Sequence, residues 1–192
     1  MAGKELSYFE TPTQKIVLED ISRFNRVLDV GAGGEGLAAR IGKDKVYGID
    51  IRVDEIREVK GKNVECNWVV CDARKLCFKD EAFDLVTVWF TLMYIAKMED
   101  KIKVLSECRR VLRKDGFLDI KDAQINVRKD IFLFNAKFEL PNGEVVNAGY
   151  GVSGAQKQTL DLLKTKLREI GFKILEELDK KHWFIIKCRR ET

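Results

Sequence analysis

A run of glycines between an apolar segment and a helix-forming segment is the part of this sequence best suited to ligand binding. Val27–Val30 predicts a short buried strand, and the carboxylate of Asp29 stands at its end. Four glycines crowd the turn that follows: Gly31, Gly33, Gly34 and Gly36. Strand, glycine turn and helix together present backbone N–H groups and a helix N-terminus to a ligand. Glycine suits this turn because a Cβ would block the ligand's approach and because turn residues can need positive φ.

A second carboxylate, Asp50, ends the next predicted strand, Val46–Asp50. A carboxylate at such a strand end can accept hydrogen bonds from both ribose hydroxyls of an adenosine. The alternative is that Asp50 caps the helix predicted over Val53–Val59. Arg52 is the residue that a 2′-phosphate would contact, which keeps NADP open as a ligand.

Two cofactor classes share this arrangement. The spacing Gly31-x-Gly33-x-x-Gly36 matches the dinucleotide fingerprint, so an NAD(P)-dependent oxidoreductase is one hypothesis. The string from Leu28 to Gly33 instead resembles motif I of the class I S-adenosylmethionine (SAM) methyltransferases, where an acidic residue stands two before the first glycine. Asp29 occupies that position. Glu35 stands where this family usually has its third glycine, so we expect a turn that is one residue longer.

Two further segments carry the same resemblance. Phe83–Ile95 is similar to the FDxVxxxxxLHHL segment of the ubiquinone/menaquinone-methyltransferase-like group, with Met93-Tyr94 in place of the His pair. Glu107–Ile120 resembles the family's ExxRVLKPGG phrase and its fifth strand. The resemblance covers residues 25–123 by motif and 154–189 by element order. It implies an α/β fold, a Rossmann-like doubly wound seven-stranded sheet that is mostly parallel with an antiparallel final strand.

The same resemblance implies SAM as the cofactor and assigns its binding residues. Asp29 would act on the methionine amino end, Asp50 on the ribose, and Asp72 with Ala73 on the adenine. The alternative for Asp72 is that it caps the turn at 73–76. The full predicted cofactor site comprises Asp29, Gly31, Ala32, Gly33, Asp50, Ile51, Asp72, Ala73 and Trp89.

The acceptor side is predicted to be aromatic, with walls formed by Trp89, Phe90, Tyr94 and Tyr150. Tyr94 and Asp122 are the candidates for a general base, which a thiolate, an amine or a stabilised carbanion would not need. An Asn/Asp-Pro-Pro-Tyr type motif does not follow strand four, which favours a small-molecule acceptor. Because no base declares itself, a non-catalytic SAM-binding module is a further hypothesis.

Two flanking segments complete the predicted architecture. Residues 124–152 alternate apolar and polar side chains around the turn Pro141-Asn142-Gly143, which predicts a β-hairpin inserted after strand five. The hairpin would either form a substrate lid over the sheet edge or pack on the body or on a second subunit. Thr11-Pro12-Thr13-Gln14 predicts a helix start, with Val17, Ile21 and Phe24 on one face.

Composition bounds the remaining possibilities. The 192 residues fit one domain (1–192), and 45% hydrophobic with 34% charged residues predicts a soluble globular protein. A net charge of +4, with both signs interspersed, does not favour a nucleic-acid partner. Met1–Glu10 lacks an apolar signal core and the sequence lacks a membrane-length apolar run, so we expect a cytoplasmic protein. The five cysteines do not match zinc-site spacing, so no metal is predicted. The oligomeric state stays open, a homodimer included.

Overall fold

The computed structural model describes residues 6–191, and these form eleven strands and four α-helices. In chain order the strands are β1 (Tyr8–Glu10), β2 (Gln14–Val17), β3 (Val27–Val30), β4 (Val46–Asp50), β5 (Asn67–Val70), β6 (Phe83–Trp89), β7 (Leu112–Ala123), β8 (Ile131–Glu139), β9 (Val145–Ser153), β10 (Phe172–Asp179) and β11 (Trp183–Arg190). The helices are α1 (Leu37–Gly42), α2 (Val53–Gly61), α3 (Met98–Val111) and α4 (Leu160–Glu169). Residues 1–5 of the predicted polar arm lie outside the described residues.

The main sheet has seven strands in the order β10-β11-β7-β6-β3-β4-β5. Strand β11 is antiparallel to both of its neighbours, and the pairs from β7 to β5 are parallel. The predicted doubly wound, mostly parallel sheet with an antiparallel final strand is therefore confirmed. Since the order reverses direction between β3 and β6, a ligand crevice is expected at the carboxyl ends of these strands.

The two faces of the main sheet are covered differently. One hydrophobic cluster joins Leu28 and Val86 of the sheet to α3 and α4, for example through Leu105 and Leu163. The other cluster joins alternate strand residues to α1 and to a smaller sheet. This alternation follows from the two-residue period of a strand, which sends successive side chains to opposite faces.

The smaller sheet is built on the predicted hairpin, which the structure confirms as β8 paired antiparallel with β9. Strands β1 and β2 pair in parallel with successive parts of β8. The predicted N-terminal helix is wrong, because Gln14–Val17 is strand β2. Ile16 is fully buried opposite Phe138 while Val17 is 63% exposed, an alternation that a strand satisfies and a helix does not.

Among residues 6–191, none of the helices combines the length and apolar character that crossing a membrane requires.

Candidate functional site

One large cavity opens at the carboxyl ends of β3, β4, β5 and β6, and its volume is about 670 Å³. All nine predicted cofactor residues line it: Asp29, Gly31, Ala32, Gly33, Asp50, Ile51, Asp72, Ala73 and Trp89. The predicted wall residues Phe90, Tyr94 and Tyr150 also line the cavity, whereas Asp122 is absent from its lining. The fold thus gathers residues from both halves of the predicted site around one space.

The glycine turn lies so close to its neighbours that side chains would not fit. Gly31 has φ of +72°, and a Cβ there would lie 2.4 Å from Cγ2 of Thr91. A Cβ on Gly33 would lie 2.4 Å from Cβ of Glu55 and 2.8 Å from Oδ2 of Asp50. The turn is therefore clamped between the segment after β6 and the start of α2, with its backbone facing the cavity.

Asp50 binds the glycine turn directly. Its Oδ2 accepts a hydrogen bond from the backbone N–H of Gly33 at 3.2 Å, and its Oδ1 accepts one from the N–H of Arg52 at 2.9 Å. The alternative role as a helix cap is not observed, because α2 begins after Arg52 without a side-chain cap. Asp50 therefore holds one edge of the cavity in place, with its carboxylate at the end of β4.

Asp72 follows the neighbouring strand β5, and Arg74 engages its carboxylate. Its carboxylate accepts from the backbone N–H of Arg74 at 2.9 Å and from Nε and Nη2 of the guanidinium at 3.0 and 2.7 Å. These hydrogen bonds lower the pKa of Asp72 below its usual value. The turn-capping alternative is thus observed, and it coexists with a place in the cavity lining.

Asp29 is the most deeply buried carboxylate of the cavity. Thr87 donates a hydrogen bond from Oγ1 to Oδ1 of Asp29 at 2.6 Å. Burial is the largest cause that raises the pKa of Asp29 to about 7, and the nearby charge of Asp50 adds to it. Near neutral pH, this group is therefore poised between its neutral and its charged form.

The aromatic wall consists of Trp89, Phe90, Tyr94 and Tyr150, which come from the end of β6, the turn after it and strand β9. Phe90 stacks on Tyr150 with ring centroids 5.6 Å apart, and Tyr94 meets Tyr150 edge-on at 6.4 Å. Behind them, Phe134 of β8 stacks on Phe90 at 5.1 Å. The hairpin thus supplies part of the cavity wall.

Glu35 is a cavity residue that motif-based prediction did not assign. Its Oε2 accepts a hydrogen bond from Oη of Tyr150 at 3.4 Å, which joins the glycine turn to the hairpin. Burial raises the pKa of Glu35 above its usual value. The signal in the sequence was its place at the extra position of the turn, where the family usually has glycine.

The two candidate general bases have different surroundings. Asp122 is fully buried away from the cavity, and it accepts hydrogen bonds from the backbone N–H groups of Leu92 and Ala123 and from Nε2 of Gln158, each at 2.8 Å. Although Tyr94 is 57% exposed, partial burial of its phenol and the charge of Glu35 raise its pKa to about 12. The carboxylate of Asp122 is therefore used in structural hydrogen bonds outside the cavity lining, and the phenol of Tyr94 stays protonated at neutral pH.

Acidic side chains outnumber basic ones around the cavity. The basic ones are Arg52, Arg74 and Lys97. The acidic ones are Asp29, Glu35, Asp50, Glu55, Glu58, Asp72 and Asp100. This excess favours ligands that carry positive charge. Within residues 6–191, no group of three or more His, Cys, Asp or Glu side chains lies close enough together to hold a metal ion.

Comparison with known proteins supports the same family. A family model described as a methyltransferase domain matches residues 28–120. The ribosomal protein L11 methyltransferase of Dictyoglomus turgidum is 30% identical over 190 residues, covering 94% of this chain and 50% of that protein. The demethylmenaquinone methyltransferase of Thermotoga maritima is 38% identical over 120 residues, covering 58% of this chain and 50% of that protein. The chain thus spans about half the length of these relatives.

Solved structures show that the fold is shared. A SAM-dependent methyltransferase from Methanosarcina mazei superimposes with a TM-score of 0.64 at 20% identity, covering 86% of this chain and 92% of that one. One from Mesorhizobium loti gives 0.65 at 15% identity, covering 90% and 94%. The methyltransferase-domain match, the methyltransferase relatives and the shared fold together support assignment of this chain to the class I SAM-dependent methyltransferase family.

Proposed function

We propose that the chain, acting as one catalytic domain, transfers a methyl group from SAM to a small-molecule acceptor seated against the aromatic wall. The observation that carries this proposal is the single cavity that holds both the glycine turn with Asp50 and the aromatic wall. A volume of about 670 Å³ lies within the usual range of small-molecule sites. Both a nucleoside cofactor and a compact acceptor have to share this space.

The residues of the cavity fit SAM. The N–H of Gly33 and the carboxylate of Asp50 lie together, which suits a ribose hydroxyl that both donates and accepts. Asp29 would meet the methionine ammonium. Asp72 would accept from the adenine amino group, which has to share this carboxylate with Arg74 because a carboxylate offers only about four acceptor positions.

When bound, SAM supplies a methyl carbon that is already electrophilic, because it is attached to a positively charged sulfur. The chain's own residues then need to orient the acceptor and exclude water. Phe90 and Tyr150 offer flat apolar surface for orientation. The hairpin β8–β9 would act as a substrate lid, since Gly149 and Tyr150 already line the cavity.

The relatives' names do not agree on an acceptor. They include a demethylmenaquinone methyltransferase, a ribosomal protein L11 methyltransferase and, in Cereibacter sphaeroides, a phosphatidylethanolamine N-methyltransferase that is 32% identical over 114 residues. The choice of a small molecule therefore rests on the dimensions of the cavity and on its aromatic wall.

Two measurements test the proposal. Calorimetry should show binding of SAM and of its demethylated product, S-adenosylhomocysteine (SAH), and no binding of NADPH. Incubation with methyl-labelled SAM and a fractionated cell extract should then place the label in the small-molecule fraction. Label in protein or RNA would overturn the acceptor assignment, and binding of SAM without any transfer would favour a non-catalytic module. Gly33→Ala, whose added Cβ fills the glycine turn, is the negative control and should give no labelled product.

A further inference from the structure

Glu35 is a carboxylate that faces the cavity without a cationic partner. Among residues 6–191, none of the lysine, arginine or histidine side chains forms an ion pair with it. Lys62 is bound to the carbonyl of Gly34 and to Glu58, and Arg40 is paired through Nη1 with Glu144. The ammonium of Lys62 and Nη1 of Arg40 are thus bound to other oxygens, and Arg40 Nε donates to the backbone carbonyl of Glu35, so the Glu35 carboxylate is left without an ion-pair partner among the described residues.

Aromatic rings surround this carboxylate. Tyr150 donates to Glu35 from its hydroxyl, and Tyr94 is close enough for the charge of Glu35 to raise its pKa. The rings of Tyr94 and Tyr150 meet at 89°. A carboxylate beside perpendicular aromatic rings is an arrangement that attracts organic cations, because the ring faces are electron-rich.

An anionic acceptor would be disfavoured at this place. A thiolate or the carbanion of a quinol would approach Glu35 with the same sign of charge, with Glu55 adding to the repulsion. Partial desolvation in the cavity strengthens such repulsion. Among the three acceptor classes considered, a thiolate, a stabilised carbanion and an amine, the amine differs in charge. Its resting form is an ammonium, whose positive charge complements the carboxylate of Glu35.

Resting on the proposed function, we propose that the acceptor is an amine, bound as its ammonium between Glu35, Tyr94 and Tyr150, and that Glu35 takes the proton which frees its lone pair. The ammonium loses one proton to the carboxylate, which becomes a neutral carboxyl group. The lone pair forms the new bond to the methyl carbon as the carbon–sulfur bond breaks, its electron pair going to sulfur. The product is a methylated ammonium, so atoms and charges balance.

The surroundings of Glu35 suit proton acceptance. Burial raises its pKa, which brings a carboxylate closer to neutral pH, where a general base is more effective. The groups that face it are the hydroxyl of Tyr150, the phenol of Tyr94, the carboxylate of Glu55 and the ammonium of Lys62. Both phenols have raised pKa values and stay neutral near pH 7, so among Glu35 and the two phenols the proton acceptor is Glu35.

A binding experiment on the SAH complex tests the proposal. The probes are 2-phenylethylamine, a cation at pH 7, and 2-phenylethanol, its neutral counterpart, titrated by calorimetry. We expect the amine to bind about tenfold or more tightly, as a charge-assisted hydrogen bond would give, and Glu35→Gln to remove this difference. Tyr150→Phe, which keeps the ring, should retain most of it. Equal affinity of the two probes for the wild type would overturn the proposal.

The matched control is Glu58→Gln, which removes the same charge from the same cavity at a side chain already paired with Lys62. Its preference for the amine should stay within about twofold of the wild type. In the wild type, amine affinity should fall as the pH is lowered and Glu35 takes up a proton, and in Glu35→Gln it should not. If the role of Glu35 were purely structural, amine affinity would depend on pH in the same way in Glu35→Gln as in the wild type.

SAH affinity separates the possible failures. If SAH does not bind to the wild type, the proposed function fails. If SAH binds but Glu35→Gln lowers SAH affinity and the affinities of both probes together, Glu35 belongs to the cofactor site and the amine proposal fails alone. Label transfer from SAM to the amine and not to the alcohol would support the proton-accepting role.

Discussion

The two ends of the cavity are built in different ways. At the proposed cofactor end, the glycine turn follows β3 and Asp50 ends the neighbouring parallel strand β4. The N–H groups of Gly31 and Ala32 donate to the carbonyl of Ile49, and the N–H of Gly33 donates to the carboxylate of Asp50. At the acceptor end, Glu35 and Tyr150 lie 115 positions apart and meet only because the hairpin folds over the sheet. Arg40 of α1 ties the glycine turn to the hairpin, donating to the backbone carbonyl of Glu35 and pairing with Glu144 of the hairpin turn.

This difference indicates how the cavity can combine a fixed cofactor site with an adjustable acceptor site. Local strand-end geometry tolerates little change, because the glycine turn is clamped on both sides. A hairpin attached by side-chain contacts can change its sequence without disturbing the sheet. We therefore expect substitutions at the first end to act on SAH affinity, and substitutions at the second end to act on the acceptor.

The largest effect should come from Gly33→Ala. Its Cβ would meet Cβ of Glu55 at 2.4 Å and displace the carboxylate of Asp50, and the start of α2 cannot retreat without moving its backbone. We expect a loss of SAH affinity of about 100-fold, measured by calorimetry. Gly61→Ala is the control, because a Cβ there has no neighbour within 4 Å. Unchanged affinity in Gly33→Ala would mean that the cofactor does not approach this turn.

The next largest effect should come from Asp50→Ala. The change removes the acceptor that holds Gly33 N–H and the proposed ribose ligand, so SAH affinity should fall about tenfold to thirtyfold. Asp54→Ala removes an exposed carboxylate that also binds Arg52, and it should leave SAH affinity unchanged. Similar losses in both variants would indicate a general effect of charge rather than a contact with the nucleoside.

The same contrast explains what could be predicted from the sequence. The place of Asp29, Gly33 and Asp50 in the cavity lining was predictable, because strand ends and glycine turns are local patterns and parallel strands bring their ends together. Glu35 was visible only as a departure from a motif, since its partner Tyr150 comes from a distant element. Asp122 illustrates the converse: its strand-end position predicted a catalytic role, but Gln158 and two backbone N–H groups use its carboxylate for structure.

The fold follows the same rule. The seven-stranded, mostly parallel sheet was predictable from the family resemblance, and the hairpin from alternating residues around its turn. The N-terminal segment was not, because Thr11-Pro12 and the spacing of Val17 and Ile21 fit a helix start. Pairing with β8 overrides this preference by burying Ile16 within the small sheet.

A third prediction sharpens the role of Asp29. Its pKa of about 7 should fall when the methionine ammonium of SAH binds beside it, so binding should release about half a proton at pH 7 and more at pH 6. Calorimetry in buffers of different ionisation enthalpy measures this release. Asp29→Asn should abolish it, whereas release that persists in this variant would assign the proton to another group such as Glu35.

The unliganded protein offers an independent check on Asp29. The folded-state pKa of Asp29, about 7, lies above its unfolded value of about 3.9. The contribution of Asp29 to the free energy of unfolding is therefore fully present below about pH 4 and is lost as the pH rises towards 7. Asp29→Asn should remove this loss, and its free energy of unfolding relative to wild type should increase from pH 5 to pH 8. Parallel pH profiles for the two proteins would contradict the raised pKa.

The smallest effect should follow Glu144→Gln, which breaks the 2.5 Å pair with Arg40. Since Glu144 is 37% exposed, we expect a stability change below about 1 kcal/mol and no change in SAH affinity. Amide hydrogen exchange over β8 and β9 should nevertheless accelerate, because the hairpin loses a tie to α1. Glu139→Gln, which breaks a hairpin pair with Lys15 that does not involve α1, is the control. If Glu144→Gln weakened SAH binding as well as accelerating exchange in the hairpin, the two ends of the cavity would be one cooperative unit. Their proposed independence would then be wrong.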